Sequence, residues 1–317
     1  MMDSGSSGEH NAKTQILSDP LSGREVIFAP GRSKRPGNYE ARVEPAAPEE
    51  AAACPFCAGH ERETPPELFA LGAEKGREPD TPGWKVRVVP NLYPAFDRQQ
   101  VVVHAPTHAR SLADLSDEQL ALVAEAWAET AERAWAEGFD HLLAVINEGK
   151  SAGASRPHSH SQLVWLERVP PEVAAETSRL QRNDCALCTL LSNLDPALKL
   201  AERKLGDCTV SLLTAPTGRA PYELLIAPDE HLPDAFGSSE LLALALALAA
   251  EGVRRLSAVE GASPFNLWLH NFQPDGHWHL ELVPRLNTYA GIELGGGIFI
   301  NTLLPREAAA RLREAPL

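Results

Sequence analysis

The sequence predicts an α+β fold made of two similar halves in tandem, each an antiparallel sheet with a long helix packed on it. Three observations carry this reading. The same motifs occur twice in the same order: a CxxC (Cys54/Cys57, then Cys185/Cys188), a histidine shortly after an Ala-Pro turn (His108, then His231), and an HxH (His158/His160, then His277/His279). The spacings are close, 51 and 50 residues in the first copy and 43 and 46 in the second. Between the lone histidine and the HxH, each copy places one long helical pattern. The organisation expected is a disordered stretch at 1–17, a catalytic half at 18–170 and a non-catalytic half at 171–317.

The elements follow in order. After the turn at Pro20, Val26 to Phe28 reads as a strand, followed by the basic turn Gly31-Arg32-Ser33-Lys34-Arg35-Pro36, and 37–53 reads as a surface connection. Lys85 to Val89 and Val101 to His104 are short strands. A helix is predicted over 117–137: Ser116 is a good N-cap, Gln119 completes a capping box, and Leu120, Val123, Trp127 and Ala134 keep helical spacing up to Gly138. Leu142 to Ile146 is the strand that leads into the first HxH. In the second half the strand Leu224 to Ala227, a helix over 240–259 capped at Ser238 or Ser239, and the strand Phe265 to Leu269 repeat the pattern.

Composition narrows the function classes. The chain has 317 residues and a net charge of −14 from 29 basic and 43 acidic side chains, so it lacks the basic field that drives binding to nucleic acid. The longest apolar run, Leu241 to Ala250, is too short to span a bilayer. The first fifteen residues are polar and carry no apolar signal core, so a cytoplasmic protein without a membrane association is expected. Five cysteines, four of them in CxxC pairs, point to metal or redox chemistry rather than a disulfide frame. Cys208 reads as a small core residue.

A CxxC presents two thiolates from one tight turn, and two later histidines can close a tetrahedron around zinc. On that logic the first site is Cys54, Cys57, His108 and His158, and the second is Cys185, Cys188, His231 and His277. With His158 committed to metal, His160 lies two residues on, on the same side of a strand, with an imidazole free to act as a nucleophile near neutral pH. Gln162 continues that face and can donate its amide to a phosphoryl oxygen. The small polar loop before it, Asn147 to Ser155, can turn backbone N–H groups and the Ser155 hydroxyl toward phosphates. The second copy departs: Glu281 stands in the glutamine place and the short Gln273-Pro274-Asp275-Gly276 replaces the loop. It reads as a half that kept the fold and lost catalysis.

The segments PLSGREVIFAPGRSKRP, CPFCAGHERETPPE, VRVVPNLYP, NEGKSAGASRPHSHSQLVW and AGIELGGGIFIN together resemble the galactose-1-phosphate uridylyltransferases of the histidine-triad superfamily. The resemblance implies two histidine-triad-like halves and a ping-pong reaction. His160 would take the uridylyl group of UDP-glucose as a covalent intermediate, release glucose 1-phosphate, and pass the group to galactose 1-phosphate. It implies Gln162, Ser155 and the backbone around Gly153 as phosphate donors. Arg32 and Arg35 match the family's basic turn near the nucleotide, and Asn91 and Asn147 its nucleotide-contacting asparagines. Glu293 matches an acidic residue that reads sugar hydroxyls, supplied across a homodimer interface. It also implies another ligand set for the second metal, zinc or iron, at Glu176, His270, His277 and His279; the internal repeat favours Cys185/Cys188/His231/His277. Ser159 stands where the family usually has proline, and Asn287 and Ile292 where a lysine and a tyrosine often hold the hexose phosphate. AGIELGGGIFIN also resembles a plant-type branch that acts as an ADP-glucose phosphorylase, using the same histidine but phosphate as acceptor.

Overall fold

In the computed structural model, residues 14–34, 43, 47, 49–183, 185–272 and 275–317 are described. Thirteen strands and six α-helices form among them, with several short 3₁₀ turns. The strands of the first half are β1 (Gln15–Ser18), β2 (Glu25–Phe28), β3 (Phe69–Leu71), β4 (Val86–Pro90), β5 (Gln99–Val103), β6 (His141–Glu148) and β7 (His160–Leu166). Those that follow are β8 (Lys199–Leu205), β9 (Cys208–Thr214), β10 (Leu224–Pro228), β11 (Phe265–His270), β12 (His279–Pro284) and β13 (Ile298–Asn301). The helices are α1 (Asp117–Ala136), α2 (Pro171–Asn183), α3 (Ala186–Ser192), α4 (Ser239–Glu260), α5 (Gly291–Gly296) and α6 (Pro305–Glu314).

The expectation of two sheets is corrected: ten strands form one antiparallel sheet in the order β3-β4-β5-β7-β6-β11-β12-β10-β9-β8. β6 pairs with β11, Val145 opposite Trp268, so each five-strand set covers the other's free edge instead of leaving it to solvent. The order is a palindrome of connections. β6 and β7 in one set correspond to β11 and β12 in the other, and the HxH opens β7 and β12 alike. β1, β2 and β13 make a separate small sheet. β1 corrects part of the expected disorder at 1–17, since Gln15 to Leu17 lie in a strand paired with β2, while 1–13 lie outside the described residues.

The period-two pattern of β6 buries Leu142, Ala144 and Ile146 on one face, in the core shared with α1. α1 turns Leu120, Val123, Trp127, Ala131 and Ala134 to the same core. α4 is apolar almost all round and packs against α1, the sheet and α6, so it lies inside the molecule. Ser116 and Ser238 cap these helices by accepting N–H bonds at 3.2 Å each. The capping box at Gln119 does not close: its amide donates instead to the carbonyls of Lys85 (2.7 Å) and His104 (2.6 Å) and ties the helix start to the sheet. α2, α3, α6 and the β8–β9 hairpin had no expectation. Because Ser161 points to α1, the alternating His160 and Gln162 point to the opposite face, where the loops gather.

Candidate active site and metal clusters

The two CxxC turns each meet two histidines. In the first cluster, Cys54 Sγ lies 3.4 Å from His158 Nδ1, and Cys57 Sγ lies 3.4 Å from His108 Nδ1 and 3.7 Å from His158 Nδ1. In the second, Cys185 Sγ is 3.6 Å from His277 Nδ1, and Cys188 Sγ is 3.3 Å from both His231 Nδ1 and His277 Nδ1. A tetrahedral zinc bound to sulfur and nitrogen requires such edges to be about 3.5 Å. Donor set and spacing both fit a structural ion. The outer nitrogens fix the tautomers: His158 Nε2 donates to the Ala105 carbonyl and His277 Nε2 to the Pro228 carbonyl, each at 2.9 Å, while His108 Nε2 faces Glu50 at 2.8 Å. Burial, then the neighbouring thiol, pushes Cys57 up to about 12, and burial with the Cys185 thiol does the same to Cys188. Without a cation these thiols hold their protons. Burial brings His158 and His277 down to about 4, so their lone pairs are free at neutral pH.

The choice posed for the second metal dissolves. His277 belongs with the cysteines, while Glu176, His270 and His279 form a third, fully buried group with ligand atoms within 4.8 Å of one another. Glu176 Oε1 is 3.1 Å from His270 Nδ1 and Oε2 is 3.7 Å from His279 Nε2, but Glu176 Oε1, His270 Nδ1 and His279 Nε2 make no hydrogen bond. Convergent buried donors of this kind could hold a hard or borderline cation.

His160 sits at the start of β7, buried, with Nδ1 donating to the His158 carbonyl at 2.7 Å. That bond leaves the lone pair on Nε2. Burial lowers the His160 pKa, so the neutral, nucleophilic form prevails at pH 7. Phe56, inside the first CxxC, packs its edge on both His160 and His158, at centroid distances of 5.3 and 5.9 Å. Gln162 Oε1 accepts from Gln99 Nε2 at 2.6 Å, which leaves its own amide N–H groups to donate. Asn147 Oδ1 accepts from Asn266 Nδ2 at 2.6 Å across the β6–β11 seam, and the same amide donates to the Ala152 carbonyl at 2.8 Å. The second half thus supports the loop of the first. Phe56, Gln99 and Asn266 escaped the sequence reading because their roles depend on pairing across strands and loops distant in the chain.

The loop after β6 is a 3₁₀ turn, Lys150–Ala152, closed by Gly153 in the left-handed conformation (φ 88°). Gly149 (φ 81°) starts it, and a Cβ there would lie 2.7 Å from the Pro264 ring. Gly149→Ala is expected to destabilise the fold by about 2–4 kcal/mol, seen as a lower melting temperature, because both the φ and the proline oppose it. Ser155 is exposed at the loop's far end. Asn91 follows β4; its Oδ1 accepts from the Tyr93 N–H at 2.9 Å. Arg32 is exposed in a 3₁₀ turn over 30–34, and Arg35 lies outside the described residues. Glu293 caps its own helix by accepting the Ala290 N–H at 2.8 Å. Among the described residues, no hydrogen bond or ion pair joins it to the β7 side chains.

The matching face of the second half is filled. Glu281, at the position of Gln162, is ion-paired to Arg219, which also binds Glu223 at 2.8 Å, and Arg24 lies 3.9 Å away. Burial acts against ionisation, yet Arg219, with His270 and Arg24, holds the Glu281 carboxyl well below the usual range. Where His160 has an open Nε2, His279 faces Glu176.

The family profile described as galactose-1-phosphate uridyl transferase, N-terminal domain, matches residues 93–171. An ADP-glucose phosphorylase of Arabidopsis thaliana is 28% identical over 97% of this chain and 94% of its own length, and a galactose-1-phosphate uridylyltransferase of Thermotoga maritima is 25% identical over 95% and 98%. The crystal structure of the Arabidopsis thaliana phosphorylase with bound ADP-glucose superposes with a TM-score of 0.81 at 26% identity, covering 96% of this chain and all of that one. A uridylyltransferase structure shares the fold at a TM-score of 0.70. With the HxHxQ strand, the glycine-bearing loop before it and the paired CxxC turns in place, the chain is similar over nearly its whole length to galactose-1-phosphate uridylyltransferases and to an ADP-glucose phosphorylase.

Proposed function

We propose that this protein is a nucleotidyltransferase acting on nucleotide-sugars through a covalent intermediate on His160, with ADP-glucose as donor and inorganic phosphate as acceptor. The observation that carries the reading is the state of His160: buried, neutral, and oriented by its Nδ1 bond so that Nε2 offers the lone pair. In the first step Nε2 attacks the α-phosphorus and the bond to the bridging oxygen breaks, leaving with glucose 1-phosphate. In the second, a phosphate oxygen attacks that phosphorus, the P–N bond breaks, and ADP departs with the histidine restored. Charge that spreads over the non-bridging oxygens meets the amide of Gln162, the Ser155 hydroxyl and the N–H groups around Gly153. Asn91, Asn147, Arg32 and Arg35 serve the nucleotide, and Glu293 the sugar across a homodimer interface.

Sequence alone favoured uridylyl transfer between UDP-glucose and galactose 1-phosphate. The higher identity to the plant phosphorylase, its closer superposition, and the Asn287 and Ile292 departures support the adenylyl reading instead. The uridylyl reaction remains the second reading, supported by the Thermotoga maritima relative. Steady-state rates decide between them: kcat/KM for ADP-glucose with phosphate should exceed that for UDP-glucose with galactose 1-phosphate. A higher value for the uridine pair reverses the assignment.

The Cys54/Cys57/His108/His158 and Cys185/Cys188/His231/His277 groups would hold zinc, which locks each CxxC turn to its half of the sheet. Glu176, His270 and His279 would hold a further ion, zinc or iron. Cys185→Ser should lower bound metal by one equivalent in elemental analysis while Glu176→Ala removes a different one; unchanged content in Cys185→Ser defeats the cysteine assignment. Gln162→Leu should lower kcat about a hundredfold with little change in KM, since it removes a donor used at the transferring phosphorus.

A further inference from the structure

Behind the β7 strand, on the face away from the substrate loops, a chain of hydrogen bonds runs through the core. Trp127 Nε1 donates to Ser161 Oγ at 2.8 Å, and Ser161 Oγ lies 3.1 Å from His104 Nε2. His104 Nδ1 lies 3.0 Å from Ser159 Oγ, which donates to Glu148 Oε1 at 3.3 Å. All five side chains are buried, and His104 and Ser161 are 0% exposed. The two ends set the direction. Indole N–H can only donate, and Glu148 Oε1, which also takes the Leu112 N–H, accepts even though burial raises that carboxyl to about 8, so Ser161 O–H points to His104 Nε2, and His104 Nδ1–H points to Ser159. Every donor and acceptor is used once by a neutral His104, and burial keeps that ring well below its ordinary pKa.

The second half supplies an internal comparison. Counting from the HxH, Trp278 and Leu280 occupy the places of Ser159 and Ser161, and the matching strand ends at Ala227-Pro228. That half places buried apolar side chains there, Trp278 and Leu280. One part of the chain is shared: Glu148 accepts the Leu112 N–H at 2.5 Å and Asn271 accepts the Ala235 N–H at 2.7 Å, which holds the corresponding loop in each half. Among the described residues, the serine–histidine relay occurs in the half with the open nucleophile. A buried polar network is worth little more to stability than the apolar packing that replaces it in the other copy, but it fixes one arrangement.

We infer that His104, Ser159 and Ser161, anchored by Trp127 and Glu148, are positioning residues that clamp the HxH strand from behind and hold His160 in its single reactive orientation. Ser159 and Ser161 flank His160 in the chain, so fixing both hydroxyls fixes the backbone to which the imidazole and its Nδ1 acceptor, the His158 carbonyl, belong. The inference rests on the assignment of His160 as nucleophile.

The test uses the full-length, metal-loaded protein and the variants His104→Leu, Ser159→Ala, Ser161→Ala and the conservative His104→Gln, whose amide keeps one donor and one acceptor. Metal content and KM for the nucleotide-sugar should stay at wild-type values while kcat falls about ten- to a hundredfold, with His104→Gln recovering part of the loss. Independently, nitrogen NMR on histidine-labelled protein should show His160 as one Nδ1–H tautomer in the wild type and a mixture in His104→Leu and Ser161→Ala. Unchanged kcat with one retained tautomer, even if the melting temperature drops, overturns the inference and leaves the network as core filling. If His104→Leu does not fold, the single-hydroxyl variants decide by the same readouts. If wild-type protein takes no nucleotidyl group from either ADP-glucose or UDP-glucose, the functional assignment fails, and the tautomer measurement alone judges the clamp.

Discussion

His160→Gly should lose nucleotidyl transfer by about 10⁴-fold or more while keeping its metal content and its melting temperature near the wild-type values. Glycine deletes the ring that carries the Nε2 lone pair, and nothing adjacent can take its place. His158, two residues back, directs Nδ1 at the cysteines and Nε2 at the Ala105 carbonyl, so both of its nitrogens are engaged. His279, the counterpart in the second half, faces Glu176. The ring of His160 touches Phe56 and its own backbone acceptor but none of the four first-cluster donors appears among its hydrogen-bond partners. Loss of metal in this variant, measured by elemental analysis, would mean that the roles of His158 and His160 are exchanged.

Cys54→Ser should remove one equivalent of metal, lower stability by several kcal/mol and cut activity along with it. The reason lies in where the thiolates sit. Cys54 and Cys57 hold a long irregular segment against the ends of β5 and β7, and the Phe56 between them is the wall beside His160. The Cys57 thiol, pushed up by burial and by its neighbour Cys54, keeps its proton without a cation, and the two cysteines form no disulfide, so a bound cation would be what makes the turn cohere. The hydroxyl of serine is a poor substitute for a thiolate toward zinc. Cys208→Ser is the control: its thiol is buried and belongs to none of the three ligand groups, and metal content should not change. Equal metal loss in both variants, or none in Cys54→Ser, would exclude the proposed tetrad.

Local chemistry made the first of these sites readable from sequence. A CxxC must bring its thiols together, and a recurring order of cysteine and histidine limits what can complete each set. The long helices were legible for the same reason, since Ser116 and Ser238 supply caps and Leu120, Val123 and Trp127 a helical face. What the sequence did not carry was strand pairing over long range. Merging of the halves into one sheet depends on β6 meeting β11, and neither strand encodes its partner. The consequence reaches the site, because Asn266 supports Asn147 and the 150–152 turn only across that seam. Gln119 had the right type for a capping box, yet the nearby carbonyls of Lys85 and His104 took its amide. For the second metal, sequence offered two overlapping ligand sets; the fold separates them, since His277 turns to the cysteines while His270 and His279 turn to α2. Glu293 and the basic turn remain legible only through family resemblance.

The proposed reaction turns on one covalent bond, between His160 and the α-phosphorus. Incubation of the protein with ADP-glucose labelled at the α-phosphorus, and separately with UDP-glucose labelled in the same way, followed by denaturation and peptide mapping, measures it directly. Acid-labile label on the peptide containing His160, from the adenine sugar in preference to the uridine sugar, and discharged by phosphate to give ADP, is the predicted result. No label from either nucleotide-sugar on folded, metal-loaded protein would contradict covalent catalysis at His160 and leave a nucleotide-binding module in its place.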